Sequence, residues 1–314
     1  MRPRPSPPSP PVPLPPTRRV AYLAFVAAGV LWGTSFLLGK VALREVEAPA
    51  LILYRFALAA AVLLPFVPRA AWGAARRHLG LLVSGSFLMG PLMFLLQFEG
   101  LDRTTASSAA LLVGVAPPAM AVAAALFDGE RPGRATWAAV ALSAVGTALL
   151  VGSPGEGRTL LGDGLVFVSM LAAVAWTLVT RRIARRLGVA AATALQFLLG
   201  VGWLLPITWA LDGPPPVRLS APTWGALAAL GLLCTAVTFG LWNWGLQRVE
   251  AAKAGVFGNL EPVVGSALGV LLLGEHLGLL AVAGGALVLA AAWLATTDEP
   301  REEAPPSEAP RAAA

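Results

Sequence analysis

Apolar stretches follow one another along almost the whole chain, separated by short polar loops. Ten of them stand out, at residues 20–38, 51–67, 79–98, 106–127, 135–151, 165–179, 190–211, 224–244, 254–273 and 277–295. A helix needs roughly 20 mostly apolar residues to cross a bilayer, and these runs match that length. The pattern predicts an all-α membrane protein with ten transmembrane helices. Residues 1–19 are proline-rich and residues 297–314 are rich in Pro, Glu and Ala; both are expected to be disordered tails. The run at 20–38 is too long for a signal-peptide core and lacks a clear cleavage site, so it is taken as the first membrane helix.

One run is both polar and broken. Residues 254–275 carry Asn259, Glu261 and Pro262 close together. Proline has no N–H and clashes with the carbonyl four residues back, so Pro262 would leave the carbonyl of Gly258 without its helical partner. In a membrane such a break is tolerated only where other protein groups or a water-filled cavity take that carbonyl over. Residues 109–130 form a twin, broken at Pro117 and Pro118 and likewise ending in Gly-Glu. Pro117 matches Pro262 and Gly129-Glu130 matches Gly274-Glu275, both at an offset of 145 residues. Two units are therefore expected, 20–152 and 162–296, each of five helices. An odd count per unit makes the repeats inverted in the membrane, and broken helices at matching positions point to a transporter's binding site.

Composition agrees with a membrane setting. Hydrophobic residues make up 57% and charged residues 13% of the 314, with a mean hydropathy of +0.72, where soluble domains carry about 25% charged residues. The formal charge of +6 could suggest nucleic acid as a partner. The basic residues sit mainly in loops between apolar runs, however, so no nucleic-acid partner is expected. Seventeen of the Lys and Arg residues fall on one side of the alternating helices and five on the other. The positive-inside rule then places both termini in the cytoplasm and the chain in the cytoplasmic membrane. Cys234 is the single cysteine, and His78 and His276 are far apart. No disulfide, metal site or cofactor is expected.

The first helix reads LWGTSFLLGK, the second APALILYRFALAA, and the fourth and ninth end in FDGERPG and LLGEHLG. Together with ten helices and an internal repeat, these segments resemble two tandem EamA domains of the drug/metabolite transporter superfamily, over roughly residues 20–296. The resemblance implies a ten-helix carrier of small metabolites, often an exporter, with a central cavity between the halves. The halves differ where it matters: Arg55 aligns approximately with Gln196, and Asn259 and Glu261 replace Gly114 and Ala116.

Among polar residues, Glu261 is the leading candidate for contact with substrate or a coupling proton, against a purely structural role. Asn259, Gln97, Gln196 and Asn243 either line a cavity or hold neighbouring helices. Trp32 and Trp176, matched by the repeat, sit too deep for an interfacial belt and either flank a substrate or pack. Arg55 and Glu99 lie at comparable depth and are expected to pair. Glu130 and Glu275 are read as caps of the helices that follow them. Lys253 is expected to snorkel to the interface. No phosphate-binding loop is present, so the expected activity is secondary transport of a small organic metabolite by alternating access. Amino acids, related compounds or drugs would be exported, with protons as one candidate coupling ion and the chain a monomer or homodimer. The rival is a membrane-embedded enzyme acting on a hydrophobic or lipid-linked substrate. It would need a cluster of catalytic residues that two scattered histidines and no G-x-S-x-G do not supply.

Overall fold

Every regular element among the described residues is helical. The structure, a computed structural model, describes residues 16–103, 112, 116–151, 159–273 and 278–297. The first long helix is α1 (Pro16–Ala42), followed by α2 (Ala48–Leu63) with a 3₁₀ turn at Leu64–Phe66. A short α3 (Arg69–Arg77) precedes α4 (Leu79–Phe87), which runs through a π-helical stretch (Leu88–Leu95) into α5 (Leu96–Asp102). Next come α6 (Ala116–Phe127), α7 (Arg134–Val151), α8 (Leu160–Leu187) and α9 (Val189–Asp212). α10 (Ala221–Gly231) passes through a second π-helical stretch (Leu232–Val237) into α11 (Thr238–Leu246). The chain ends with α12 (Ala251–Gly258), α13 (Leu260–Leu273) and α14 (Leu279–Thr297).

Five helical spans are long and apolar enough to cross a bilayer: Ala48–Phe66, Leu79–Gly100, Leu160–Leu187, Val189–Asp212 and Ala221–Leu246. Two shorter apolar helices, Ala116–Phe127 and Val282–Thr297, accompany them. The upstream half of the expected fourth helix, its Gly114, and Gly274-Glu275 of the twin signature lie outside the described residues.

Two features depart from the hydropathy reading. α3 is an extra amphipathic helix; Ala71 and Ala75 are buried beside Ile183, Ala184 and Leu187 of α8, while Trp72 stays exposed. The π stretches are the other. The first accommodates Pro91, whose missing N–H cannot serve an α-helical bond. In the second, Thr235 donates to the carbonyl of Leu230 and Thr238 to that of Leu233, each at 2.7 Å. Those hydroxyls take up carbonyls left by the wider turn. The two stretches begin 144 residues apart, close to the 145-residue offset between Pro117 and Pro262, although no sequence motif marks them.

Packing is mirrored between the two parts of the chain. α2 lies against α9 and α7 against α14, each joining equivalent positions, while α6, the equivalent of α13 by the Pro117–Pro262 match, lies against α12. α1 packs on α13 and on α11, and α8 packs on α6 and on α5 in the corresponding way. Matching glycines allow the tight approaches. A Cβ on Gly100 would lie 2.8 Å from the carbonyl oxygen of Gly162 in α8, and one on Gly245 would lie 2.6 Å from the Phe25 ring in α1.

Candidate functional site

The break expected near Pro262 falls at Asn259, which ends α12 and separates it from α13. The physical cause is the one expected: a helix through this point would need a Pro262 N–H and room for the Gly258 carbonyl. Restarting at Leu260 places Pro262 in the first turn of α13, where backbone N–H groups have no intrahelical acceptor in any case. Glu261 lies in that same first turn and is partly buried. Pro117 and Pro118 likewise open α6. The two proline regions touch, since a Cβ on Gly255 of α12 would sit 3.3 Å from Cα of Pro117.

α1 seats the break against the rest of the protein. A Cβ on Gly33 would stand 2.5 Å from Cβ of Val264 and 3.0 Å from the carbonyl oxygen of Glu261. Glycine is therefore what lets α1 approach here. The neighbours of Gly33 face the interior: Thr34 reaches Cys234 at 3.4 Å, and Trp32 packs on Phe239 and Trp242 with ring centroids 5.4 and 5.0 Å apart. Phe239 also meets Trp176 at 5.3 Å and Phe94 at 6.1 Å. The result is a cluster of aromatic rings drawn from α1, α8, α11 and the π stretch of Pro91.

Arg55 enters this cluster from α2 and is 3% exposed. Its Nε donates to Thr235 at 3.1 Å, and its guanidinium carbon lies 5.0 Å from the Phe94 ring centre. Thr235 presents its hydroxyl because the π stretch turns it there while it holds Leu230. Arg55 also interacts electrostatically with Glu261, but the two form no direct ion pair. The structure thus brings together a buried guanidinium, two hydroxyls, a thiol and a wall of rings, with the Glu261 carboxyl within electrostatic range of Arg55.

The expected Arg55–Glu99 pair is not formed. Glu99 pairs with Arg103 one turn away, both partly exposed. Depth along a helix, which suggested the pairing, says nothing about which way a side chain faces, whereas the i, i+4 spacing of Glu99 and Arg103 favours a local pair. Trp176 and Gln196 are brought together, but as packing partners. Gln196 Oε1 accepts from Trp176 Nε1 at 3.1 Å and from Thr180 at 2.9 Å, and its amide donates to the Ala192 carbonyl. Asn243 donates to Thr193 at 2.9 Å, and Asn259 donates to Ser143 at 2.6 Å. In both asparagines the side-chain carbonyl oxygen is buried without a hydrogen-bond partner among the described residues. Gln97 is half-buried on α5. Phe94, Phe239, Trp242 and Thr235 were not anticipated as site residues; no spacing in the sequence singles them out.

A second charged cluster joins three helix ends. Arg181 of α8 binds Glu130 beyond α6, and lies 3.6 Å from Asp128. Arg182 reaches Asp128 at 3.0 Å. Glu130 in turn accepts from the N–H groups of Ala251 and Ala252, at 2.9 and 3.3 Å. Glu130 is therefore a cap, but of α12 from the other half of the chain and not of α7, which follows it. Lys253 does not snorkel; it is 1% exposed, with Nζ 3.2 Å from Glu250.

The EamA-like transporter family matches residues 19–152 and again 160–297. The chain belongs to that family. It is an integral membrane protein, and no strand is present among its described residues. An uncharacterized transporter of Archaeoglobus fulgidus is 26% identical over 88% of this chain and 98% of its own length. A protein of Pseudomonas aeruginosa named "Probable biotin transporter" is 33% identical over 87% of this chain and 96% of its own length. One of Streptantibioticus cattleyicolor named "Probable terminal-alkyne amino-acid exporter" is 28% identical over 87% and 92%. A solved crystal structure superposes with a TM-score of 0.77 at 21% identity, covering 89% of this chain and 97% of that one; this likeness concerns the fold.

Proposed function

We propose that this chain is a secondary transporter that carries a small zwitterionic solute, an amino acid or close relative, across the cytoplasmic membrane by alternating access. The observation that carries the reading is the buried Arg55 guanidinium held against Thr235 and the Phe94 ring, with the Glu261 carboxyl near enough to act on it electrostatically. A guanidinium suits a carboxylate bidentately, a carboxylate suits an ammonium, and rings suit an apolar side chain and a cation. An amino acid and biotin, the solutes in two relatives' names, are both carboxylic acids, which Arg55 would meet. Glu261 is what would favour the amine-bearing solute. We assign Trp32, Trp242, Phe239 and Phe94 to the solute's walls, and Gln196, Trp176 and Asn243 to holding helices.

The mechanism follows from the packing. The contacts of α2 with α9 and of α7 with α14, and the match of α1 on α13 and α11 with α8 on α6 and α5, support ten spans arranged as two inverted five-helix repeats that rock about the crossing of α6 and α12. The cluster of Asp128, Glu130, Arg181 and Arg182 lies among loops that the basic-residue count assigns to the cytoplasm, with the termini. It serves as a clamp closing that side. Glu261 is the carboxylate through which a proton would couple to the solute.

Binding to the purified protein tests the reading. A hydrophobic amino acid is compared with the amine lacking its carboxylate and the acid lacking its amine. Loss of one charge partner removes a charge-assisted hydrogen bond, about 1.5–3 kcal/mol, so each analogue is expected to bind at least about tenfold more weakly. Glu261→Gln should erase the preference for the amino acid over the acid alone. Equal binding of all three compounds would overturn the assignment.

A further inference from the structure

Away from the aromatic cluster, α1, the α12–α13 junction and α14 enclose an open groove of about 550 Å³. Its walls are apolar, including Leu23, Val26, Leu260, Leu289 and Trp293. Leu23 and Trp293 are among the most exposed apolar side chains, at 66% and 70%. Its polar side chains are Arg19 and Thr296 at one end and, one helical turn further along α1, Tyr22, which stacks on Phe257. Arg19 and Thr296 both line the groove, and Arg19 forms no ion pair among the described residues. α1 enters the bundle from Arg19 to Val26 while α14 leaves it from Leu289 to Thr296. Each path is seven residues, about 10 Å of helix, so the cationic rim and the apolar trough share one axis. The rim lies where the two termini emerge, on the side rich in Lys and Arg.

We propose that this groove binds one anionic phospholipid, its phosphate at Arg19 and an acyl chain along Leu23, Val26, Leu289 and Trp293. The charge and its placement select the occupant: a basic group at the membrane surface attracts an anionic headgroup, and tryptophan suits the interface where head meets chain. A hydrophobic solute would gain nothing from Arg19. The groove also reaches the transport machinery. Phe257 and Leu260, its inner wall, flank the break at Asn259, and a Cβ on Gly29 of α1 would lie 2.8 Å from Leu260 Cβ. The bound lipid therefore touches the joint between α12 and α13, and its identity sets how freely that joint moves.

The test is lipid retention by the purified full-length chain, which needs no knowledge of the transported solute. Protein in detergent is equilibrated with equal amounts of phosphatidylglycerol and phosphatidylcholine of one acyl composition, and bound lipid is counted by native mass spectrometry. Phosphatidylglycerol should be retained about five-fold more, the weight of one arginine at an anionic surface, and Arg19→Gln should remove that preference. A second measurement places the chain: phosphatidylglycerol brominated in its acyl chain should quench a tryptophan emission component that Trp293→Phe lacks. Equal retention of the two lipids, a preference that survives Arg19→Gln, or quenching unchanged in Trp293→Phe would each overturn the proposal.

Discussion

Glu130→Gln isolates the clamp from the fold. The substitution keeps the side chain's shape and one carbonyl oxygen to accept from Ala251 or Ala252, but removes the negative charge from Arg181 and from the start of α12. Arg181 and Glu130 have side chains only 14% and 9% exposed, so the pair is largely out of water and a surface-pair value of 0–1 kcal/mol is too small. Outright rupture of a buried pair costs about 3–5 kcal/mol, which is too large, because Arg181 keeps Asp128 at 3.6 Å. A loss of about 2–3 kcal/mol for the closed cytoplasmic side lies between these bounds. At 1.36 kcal/mol per tenfold change, that shifts the closed-to-open ratio by about 30- to 150-fold. Met120 is the reporter position: it is 4% exposed and packs on Gly255 where α6 crosses α12. With Cys234 replaced by alanine and Met120 by cysteine, labelling by an impermeant maleimide is followed from the cytoplasmic face. Labelling should quicken by about 30- to 150-fold when Glu130→Gln is added, with the melting temperature lowered by no more than several degrees. Unchanged labelling would refute the clamp; faster labelling with a collapsed melting temperature would mean that Glu130 only holds the fold.

Other expectations concern single contacts. Gly33→Leu places atoms where Val264 already stands, so overpacking should cost about 1–3 kcal/mol, lower the melting temperature and reduce transport. Gln196→Leu leaves the Trp176 N–H buried without its acceptor, which should cost about 1–3 kcal/mol of stability in thermal unfolding while solute affinity stays within a factor of two or so of the parent. Glu45, in the loop between α1 and α2, has its pKa lowered by hydrogen bonds from the Ser220 hydroxyl, then the Ser220 N–H and Thr223. A depressed carboxylate stabilises above its unfolded pKa and loses that effect as pH falls through the folded value. Hydrogen exchange at residues 218–223 should therefore be pH-insensitive in its protection near neutrality and lose protection only in acid, below the ordinary carboxylate range.

Much of the architecture was legible because a bilayer imposes it. The apolar runs found α1, α2, α9 and the α10–α11 span within a few residues but only the middle of α8, which runs five residues earlier and eight later than 165–179, and Pro262 located the break between α12 and α13 through its missing N–H. What hydropathy could not supply was direction around each helix. Arg55 and Glu99 share a depth but not a face, so Arg55 turned toward Thr235 and Phe94 while Glu99 took Arg103. The spacing of four between Glu99 and Arg103 was in the sequence and carried the local answer. α3 escaped because nine residues with two buried alanines resemble a loop. The π stretches escaped because nothing in composition distinguishes a wider turn from an α-helical one, yet the second of them aims Thr235 at Arg55. Glu130 was legible as a cap, but the helix it caps lies about 120 residues away in the chain, a distance that only packing can close.

The central claim is that Arg55 and Glu261 together hold a zwitterion that crosses the membrane. Counterflow in proteoliposomes tests it without assuming a driving force. Vesicles loaded with an unlabelled amino acid should transiently accumulate the same labelled amino acid from outside. Arg55→Gln should abolish that accumulation, and Glu261→Gln should retain exchange while losing accumulation driven by an imposed pH gradient. Counterflow that persists undiminished in Arg55→Gln, or pH-driven accumulation that survives Glu261→Gln, would contradict the account.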